Sequence, residues 1–532
     1  MAKTDCGGPT TDIFRARLDR RHLLRVAAVT GGAASLGGMM TSFQAAHVAA
    51  QEAQPGGTLV VRLDSDIIGV DPHGASAGID RNVYTSVYDG LVTIDKDLNF
   101  VPALAESFNA PDETTYVFKL RPNVTFHDGT ACDAAAVKWN FDWILDEANA
   151  SPRRSELVDV QEVVVDDPLT VRIVLKNAFA PFLAIISDRA GYIVSPAARQ
   201  QYGDDYQRNP VGTGPFRFVE WIKDDHITFQ RFDDHWEEGL PYLDEIRYRP
   251  IPDATVALTE LKTNNIGFFF GIDPKDVEDV KSTPNLQYLE GLGVGYQGLW
   301  INTVQGPLAN KALREAVGFA VDREALFAAA YYGVGQIAHG PIPPSSWAFD
   351  PEYRSRSRDL DQARAKLAEG GQPDGFPMLL KVANTPLGRT ITQIVQANLQ
   401  EIGIEVEIQT LEFGALLEAG TEGSFDALSL GWSGRIDPDG NIQPIFHSGG
   451  AFNYGKYNNP QVDQLIADGR TTSDQEERTR IYQEIQRIIN EDAAYVFTYF
   501  PPASFGAADY VQGFTVTPDA LMRFKSVWLD ES

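Results

Sequence analysis

The stretch Phe425–Tyr457, FDALSLGWSGRIDPDGNIQPIFHSGGAFNYGKY, brings an indole, a hydroxyl, a guanidinium and two carboxylates together in Trp432, Ser433, Arg435, Asp437 and Asp439. Ala427, Leu428 and Leu430 form the apolar run of a short buried strand, which stops at Gly431. Asp437-Pro438-Asp439-Gly440-Asn441 reads as a turn, because Pro fixes one dihedral and Gly and Asn tolerate positive φ. An aromatic ring, a hydroxyl, exposed backbone amides and a guanidinium therefore gather at one strand end. The same residues also describe a surface turn, in which Arg435 pairs internally with Asp437 or Asp439.

Other chemistry-bearing patterns are weaker. Gly293-Val-Gly295-Tyr-Gln-Gly298 has the spacing of a dinucleotide fingerprint. That chemistry needs a helix straight after the glycines, to hold a pyrophosphate at its N-terminus. The strand-like Leu299-Trp300-Ile301-Asn302 follows instead, so the glycines are read as letting a hinge strand bend. Gly74-Ala-Ser76-Ala-Gly78 matches a nucleophile elbow but follows the turn-like Val70-Asp71-Pro72-His73 rather than a buried strand. Beyond residue 50, His73, His127, His226, His235, His339 and His447 contain no i,i+3 or i,i+4 pair, so no metal site is expected. Pro438 and the lack of a downstream Glu ligand break any calcium-loop reading of Asp437, Asp439 and Asn441. The two cysteines, Cys6 and Cys132, leave one thiol in a processed chain, and Cys132 is expected to be structural. No catalytic residue and no cofactor are assigned.

These residues need a scaffold. At 532 residues the chain exceeds one core, and its 43% hydrophobic and 22% charged content is ordinary for a globular protein. Its net charge of −28 is not; without residues 1–50, which hold six Lys/Arg and three Asp/Glu, it becomes −31. Such a surface favours solubility and repels nucleic acid and anionic lipid. Strands are expected at Gly57–Leu63, Tyr116–Leu120, Val163–Val165 and Thr170–Leu175, and helices over Leu313–Ala330 and Leu360–Glu369. Ser473 and Glu476 are read as a capping box for the helix carrying Ile481, Ile485, Ile488 and Ile489. Strands and helices interleave, which gives an α/β or mixed α+β class.

Asp19-Arg20-Arg21-His22-Leu23-Leu24-Arg25 precedes a mildly apolar, glycine-rich stretch from Val26 to Met40, the layout of a twin-arginine export signal over residues 1–50. The stretch is too short to span a membrane, and no lipid-attachment cysteine follows it.

The segment Phe425–Tyr457 resembles the signature region of the extracytoplasmic solute receptors of dipeptide, oligopeptide and nickel ABC importers, family 5. VYDGLVT (Val87–Thr93), YVFKLRPNVTFHDG (Tyr116–Gly129), NPVGTGPFRFVEW (Asn209–Trp221), PLANKALREAVGFAVDREAL (Pro307–Leu326) and QANLQEIGIEVEI (Gln396–Ile408) add to the likeness in the same order. The resemblance implies a two-lobed periplasmic-binding-protein-like fold with a hinge and an inserted domain. Lobe I would comprise 55–82, 206–295 and 497–532, the insert 83–205, and lobe II 296–496. The hinge would lie near Gly291–Trp300 and Val496–Pro502. It further implies a monomer in the periplasm that binds its ligand by hinge closure and delivers it to an inner-membrane ABC permease, without catalysis. A chelated metal carried as ligand stays open.

In the peptide receptors that the chain resembles, an aspartate that holds the peptide ammonium occupies the position of Arg435. A guanidinium there would repel an ammonium and favour a carboxylate, which it can grip through two parallel hydrogen bonds, and so an anionic ligand or a peptide in another orientation. The ligand contacts expected on this basis are Arg435, Trp432, Ser433, Gly434 and Asp437, then Asn453 and Tyr454 nearby, Arg389, and Trp300 and Asn302 from the hinge side. Two other readings are an exported cofactor-containing enzyme and a periplasmic peptide chaperone or sensor on the same fold.

Overall fold

The computed structural model describes residues 53–74 and 78–530. The expected export signal, Cys6 and Ser76 of the elbow-like match lie outside the described residues.

Thr58–Leu63 buries Leu59, Val61 and Leu63 on one face in one core cluster, while Val60 and Arg62 on the other face are partly buried and buried, as in a strand covered on both faces. It lies in the interior of a seven-stranded mixed sheet, parallel to both Glu245–Pro250 and Phe268–Phe270. Outward from these run His226–Arg231 and Phe216–Ile222 on one side, and Ala503–Ala508 and Leu286–Gly291 on the other. A six-stranded sheet takes the order Gln336–Ile337, Tyr495–Phe500, Gln297–Ile301, Ala427–Ser429, Pro377–Ala383, Glu405–Leu411. A four-stranded antiparallel sheet, from Ala105–Asp112, Thr115–Leu120, Thr170–Leu175 and Val160–Asp167, is inserted in sequence between Thr58–Leu63 and the next strand of the seven-stranded sheet, Phe216–Ile222. The helix Ala134–Leu145 packs on it, N-capped by Asp133, and buries Phe141 and Ile144 with Phe118 and Ile173. Cys132 is a buried free thiol in this core, and burial pushes its pKa up, so it is inert.

The seven- and six-stranded sheets are joined twice, through residues 292–296 and through Pro501-Pro502. The glycines of the fingerprint-like run lie in the first crossing and in the strand after it. A Cβ on Gly293 would come within 2.3 Å of the Pro501 carbonyl oxygen, so the two crossings touch backbone to backbone. No helix opens there, and a pyrophosphate would find no N-terminus to bind.

Three local expectations are corrected. Residues 311–329 form two helices, Lys311–Ala320 and Arg323–Ala329, because the Asp322 side chain accepts from the Ala325 N–H and starts a new helix. The helix Gln475–Glu491 is capped by Asp474, which accepts from the Glu477 N–H at 2.8 Å, rather than by Ser473 with Glu476. The stretch read as a turn at Asp437–Asn441 does turn at Asp437-Pro438 but runs on from Asp439 as the helix Asp439–Phe446, with Pro438 fixing its entry.

Candidate ligand-binding site

The strand Ala427–Ser429 is held between Leu299–Ile301 and Leu380–Val382, and beyond it the chain turns back on the first crossing. Trp432 exchanges backbone hydrogen bonds with Tyr296, at 2.7 and 3.0 Å. Gly434 adopts φ +83°, and a Cβ there would lie 2.2 Å from the Val294 carbonyl oxygen. Both the left-handed backbone and the close approach therefore require glycine. Asn441 completes the anchor: its Oδ1 accepts from the Arg435 N–H at 2.7 Å and its Nδ2 donates to the Val294 carbonyl at 3.1 Å. The Arg435 backbone is thus fixed to the crossing.

Its side chain is differently placed. The guanidinium donates to the Gly434 carbonyl at 2.6 Å and to Ser433 Oγ at 3.3 Å, and lies 5.2 Å from the centre of the Trp432 ring. It makes no ion pair among the described residues. The expected bridge to Asp437 or Asp439 is absent because both carboxylates have other partners. Asp437 takes a bidentate pair from Arg478, at 2.8 and 2.9 Å, and caps the Asp439 N–H. Asp439 faces Arg470 at 3.6 Å and accepts from Tyr482.

Trp432, Gly434, Arg435 and Asp437 line a cavity of about 460 Å³. The rest of the lining comes from distant sequence: Arg81, Glu156, Asp159, Asp188, Arg189 and Asp519. Here too most charges are matched. Arg81 grips both oxygens of Asp188, at 2.8 and 3.3 Å; Arg523 does the same to Asp519; Glu156 pairs with Arg153. Arg189 is buried in this lining and adds a further cation. Burial, with Arg81 and Arg189 in the same cavity lining, lowers the Arg435 pKa to about 10 against the pull of Asp188, so it remains a cation at neutral pH. Burial raises Asp439 to about 6 despite Arg470 and Arg478. Burial also works to raise Asp519, but Arg523 outweighs it and holds that carboxyl at about 2.

The remaining expected contacts lie elsewhere. Ser433 is exposed and meets the site through Arg435 alone. Arg389 is exposed and donates to Asn384 Oδ1 at 2.6 Å, outside the cavity lining. Trp300 is buried, with its Nε1 donating to the Leu430 carbonyl, and Tyr454 packs on its ring at 5.2 Å. Asn302 is fully buried and ties the Gly423 and Phe425 carbonyls together. Asn453 closes its own loop onto His447 and Tyr457. These four side chains hold the shape of the loop and none lines the cavity. Among the described residues no group of three His, Cys, Asp or Glu could hold a metal ion.

Two α/β sheets joined by paired crossings, with a charged cavity whose walls come from opposite parts of the chain, define a receptor that encloses a small solute. Residues 99–453 match the middle region of the bacterial extracellular solute-binding proteins, family 5, and the chain belongs to that family. It is 32% identical to the glutathione-binding protein GsiB of Pectobacterium atrosepticum, over 89% of this chain and 94% of that one. The periplasmic binding protein DppA of Helicobacter pylori, solved with the peptide STSA, has TM-score 0.81 and 28% identity, covering 90% of this chain and 99% of its own. AgaA of A. tumefaciens R10, solved with agropinic acid, has TM-score 0.78 and 27% identity over 90% and 99% of the two chains. The protein is the substrate-binding component of an ABC importer and not an enzyme.

Proposed function

We propose that the chain captures a short peptide or an amino-acid-derived acid, gripping a carboxylate with Arg435, and presents it to an inner-membrane permease. The observation that carries this reading is Arg435 itself: a cation on the cavity wall, without a counter-ion among the described residues, whose neighbours Asp437 and Asp439 are already engaged. A ligand carboxylate supplies the missing charge and two acceptors in the geometry a guanidinium prefers. The ligands named for the relatives, glutathione, a peptide and agropinic acid, support the same chemistry.

In this reading lobe I (55–82, 206–295 and 501–532) carries the insert (83–205), and lobe II (296–500) swings toward both about the crossings at 292–296 and 501–502. The last boundary falls at 501 rather than at the expected 497, because the strand Tyr495–Phe500 belongs to the six-stranded sheet. The ligand favours the closed form only through contacts it makes to both lobes. Residues 1–50 would direct twin-arginine export to the periplasm.

The test is native mass spectrometry of the protein exported to a periplasm, followed by denaturation and identification of the released molecule. A retained peptide or organic acid, lost from Arg435→Ala, supports the reading. A retained ligand with no acidic group, or one held equally by Arg435→Ala, refutes it.

A further inference from the structure

The charges that line the cavity divide into those with an internal partner and those without. Arg81 with Asp188, Arg153 with Glu156, Arg478 with Asp437, Arg470 with Asp439 and Arg523 with Asp519 are matched. Arg435 and Asp159 stand apart from these pairs and line the same cavity. The Asp159 carboxylate makes neither an ion pair nor a hydrogen bond among the described residues. Its position is nonetheless fixed. It immediately precedes the strand Val160–Asp167, and its carbonyl accepts from the Lys176 N–H at 2.8 Å. The Lys176 ammonium, its neighbour in that pairing, donates to the Val158 carbonyl instead, at 2.5 Å.

A half-buried carboxylate at a strand start, in one cavity with a guanidinium that also lacks a counter-ion among the described residues, is complementary to a molecule with one charge of each sign. The same lining carries exposed apolar side chains: Val158 and Phe452 are each 42% exposed and both line it. Large apolar groups left exposed inside a cavity mark the place of a ligand's apolar body.

We propose that Asp159 is the ammonium-binding residue of this receptor, so that its ligand is a zwitterion lying with its carboxylate on Arg435, its amine on Asp159 and its middle across Val158 and Phe452. This rests on the reading of Arg435 given above and narrows it: a simple dicarboxylic acid or an N-acylated amino acid would leave Asp159 facing the cavity with no counter-charge, and is excluded by the same desolvation that favours the zwitterion.

The experiment is calorimetric titration of the full chain with Ala-Ala, Ala-Leu, Ala-Ala-Ala and glutathione. Each is also used as its N-acetyl form and as its fully amidated form, against wild type and Asp159→Asn. The expected result is binding of free forms, a loss of at least about tenfold on N-acetylation, and abolition of that difference in Asp159→Asn. N-acetyl forms that bind as well as free ones overturn the role of Asp159 and leave that of Arg435 standing. A loss on N-acetylation that persists unchanged in Asp159→Asn places the ammonium elsewhere and also overturns it. Amidated forms that bind as well as acids refute the carboxylate reading of Arg435. Binding by no member at millimolar concentration overturns both.

Discussion

Replacing Arg435 with Ala separates a ligand-binding arginine from a structural one, because the two roles move folding and affinity in different ways. In the ligand-free protein the side chain contributes a hydrogen bond to its neighbour Gly434, a longer one to Ser433 and a stack on Trp432. Together these are worth roughly 2–3 kcal/mol. Against them stands the cost of holding a cation in the cavity wall near Arg81 and Arg189. That cost lowers its pKa from 12.5 to about 10, roughly 3 kcal/mol against the charged form. The two nearly cancel. Thermal unfolding of ligand-free Arg435→Ala should therefore match wild type to within about 1 kcal/mol. Affinity should not: truncating one partner of a desolvated charge pair costs about 2–5 kcal/mol, or at least about 30-fold in Kd for a carboxylate ligand. Arg435→Asp should go further, abolishing that ligand and favouring cations. A ligand-free variant that loses more than about 2 kcal/mol, with unchanged Kd, would show that Arg435 serves the fold and would refute the reasoning.

Asp439→Asn should remove a fall in stability between about pH 4 and pH 6. Its folded pKa of about 6 exceeds the ordinary 3.8, so its contribution is full below pH 4 and is lost as pH rises through 6. Urea unfolding at pH 7.5 should thus find the variant more stable by up to about 3 kcal/mol, and equal at pH 4; Asp80, raised in the same direction, is unchanged in both proteins and cancels from the comparison. Arg199→Met should destabilise by about 3–5 kcal/mol, because it strands Asp71, buried and bidentate to Arg199 at 2.5 and 2.7 Å. The double variant with Asp71→Asn should recover much of that loss in the same assay. Gly434→Ala should cost at least about 1–3 kcal/mol in unfolding experiments and also weaken ligand binding, since it forces the Arg435 loop off Val294.

The parts of this molecule that could be read from its sequence are those whose cause is local. Ala427–Ser429 and Leu360–Glu369 announce themselves by apolar spacing and by the Gly370-Gly371 stop. The capping and turn readings were near misses of one kind. Asp322, Asp474 and Asp437 each offer a carboxylate to a backbone N–H a few residues on, and the sequence supplies several such acids in every short window. Trp300, Asn302, Asn453 and Tyr454 carry site-like side chains whose polar groups are consumed by neighbouring carbonyls or whose rings pack in the core, which no linear pattern announces. The rest of the cavity lining had no signal at all. Arg81, Asp159, Asp188 and Asp519 come from four separate stretches, and only the fold brings them into one cavity with Arg435.

The seven-stranded sheet has a consequence for the order in which the protein can be made. Its interior strand, Thr58–Leu63, is synthesised early, while Ala503–Ala508, which lies between Phe268–Phe270 and Leu286–Gly291, is synthesised late. Until that strand arrives, two edges with unpaired N–H and C=O groups wait for it, and contacts across such a sequence distance form slowly. The four-stranded sheet, whose strands all fall within residues 105–175, has no such delay. The nascent chain therefore carries a finished small domain beside a half-built sheet, and a ribosome-arrested chain ending before Ala503 should expose those edges to aggregation or to a chaperone.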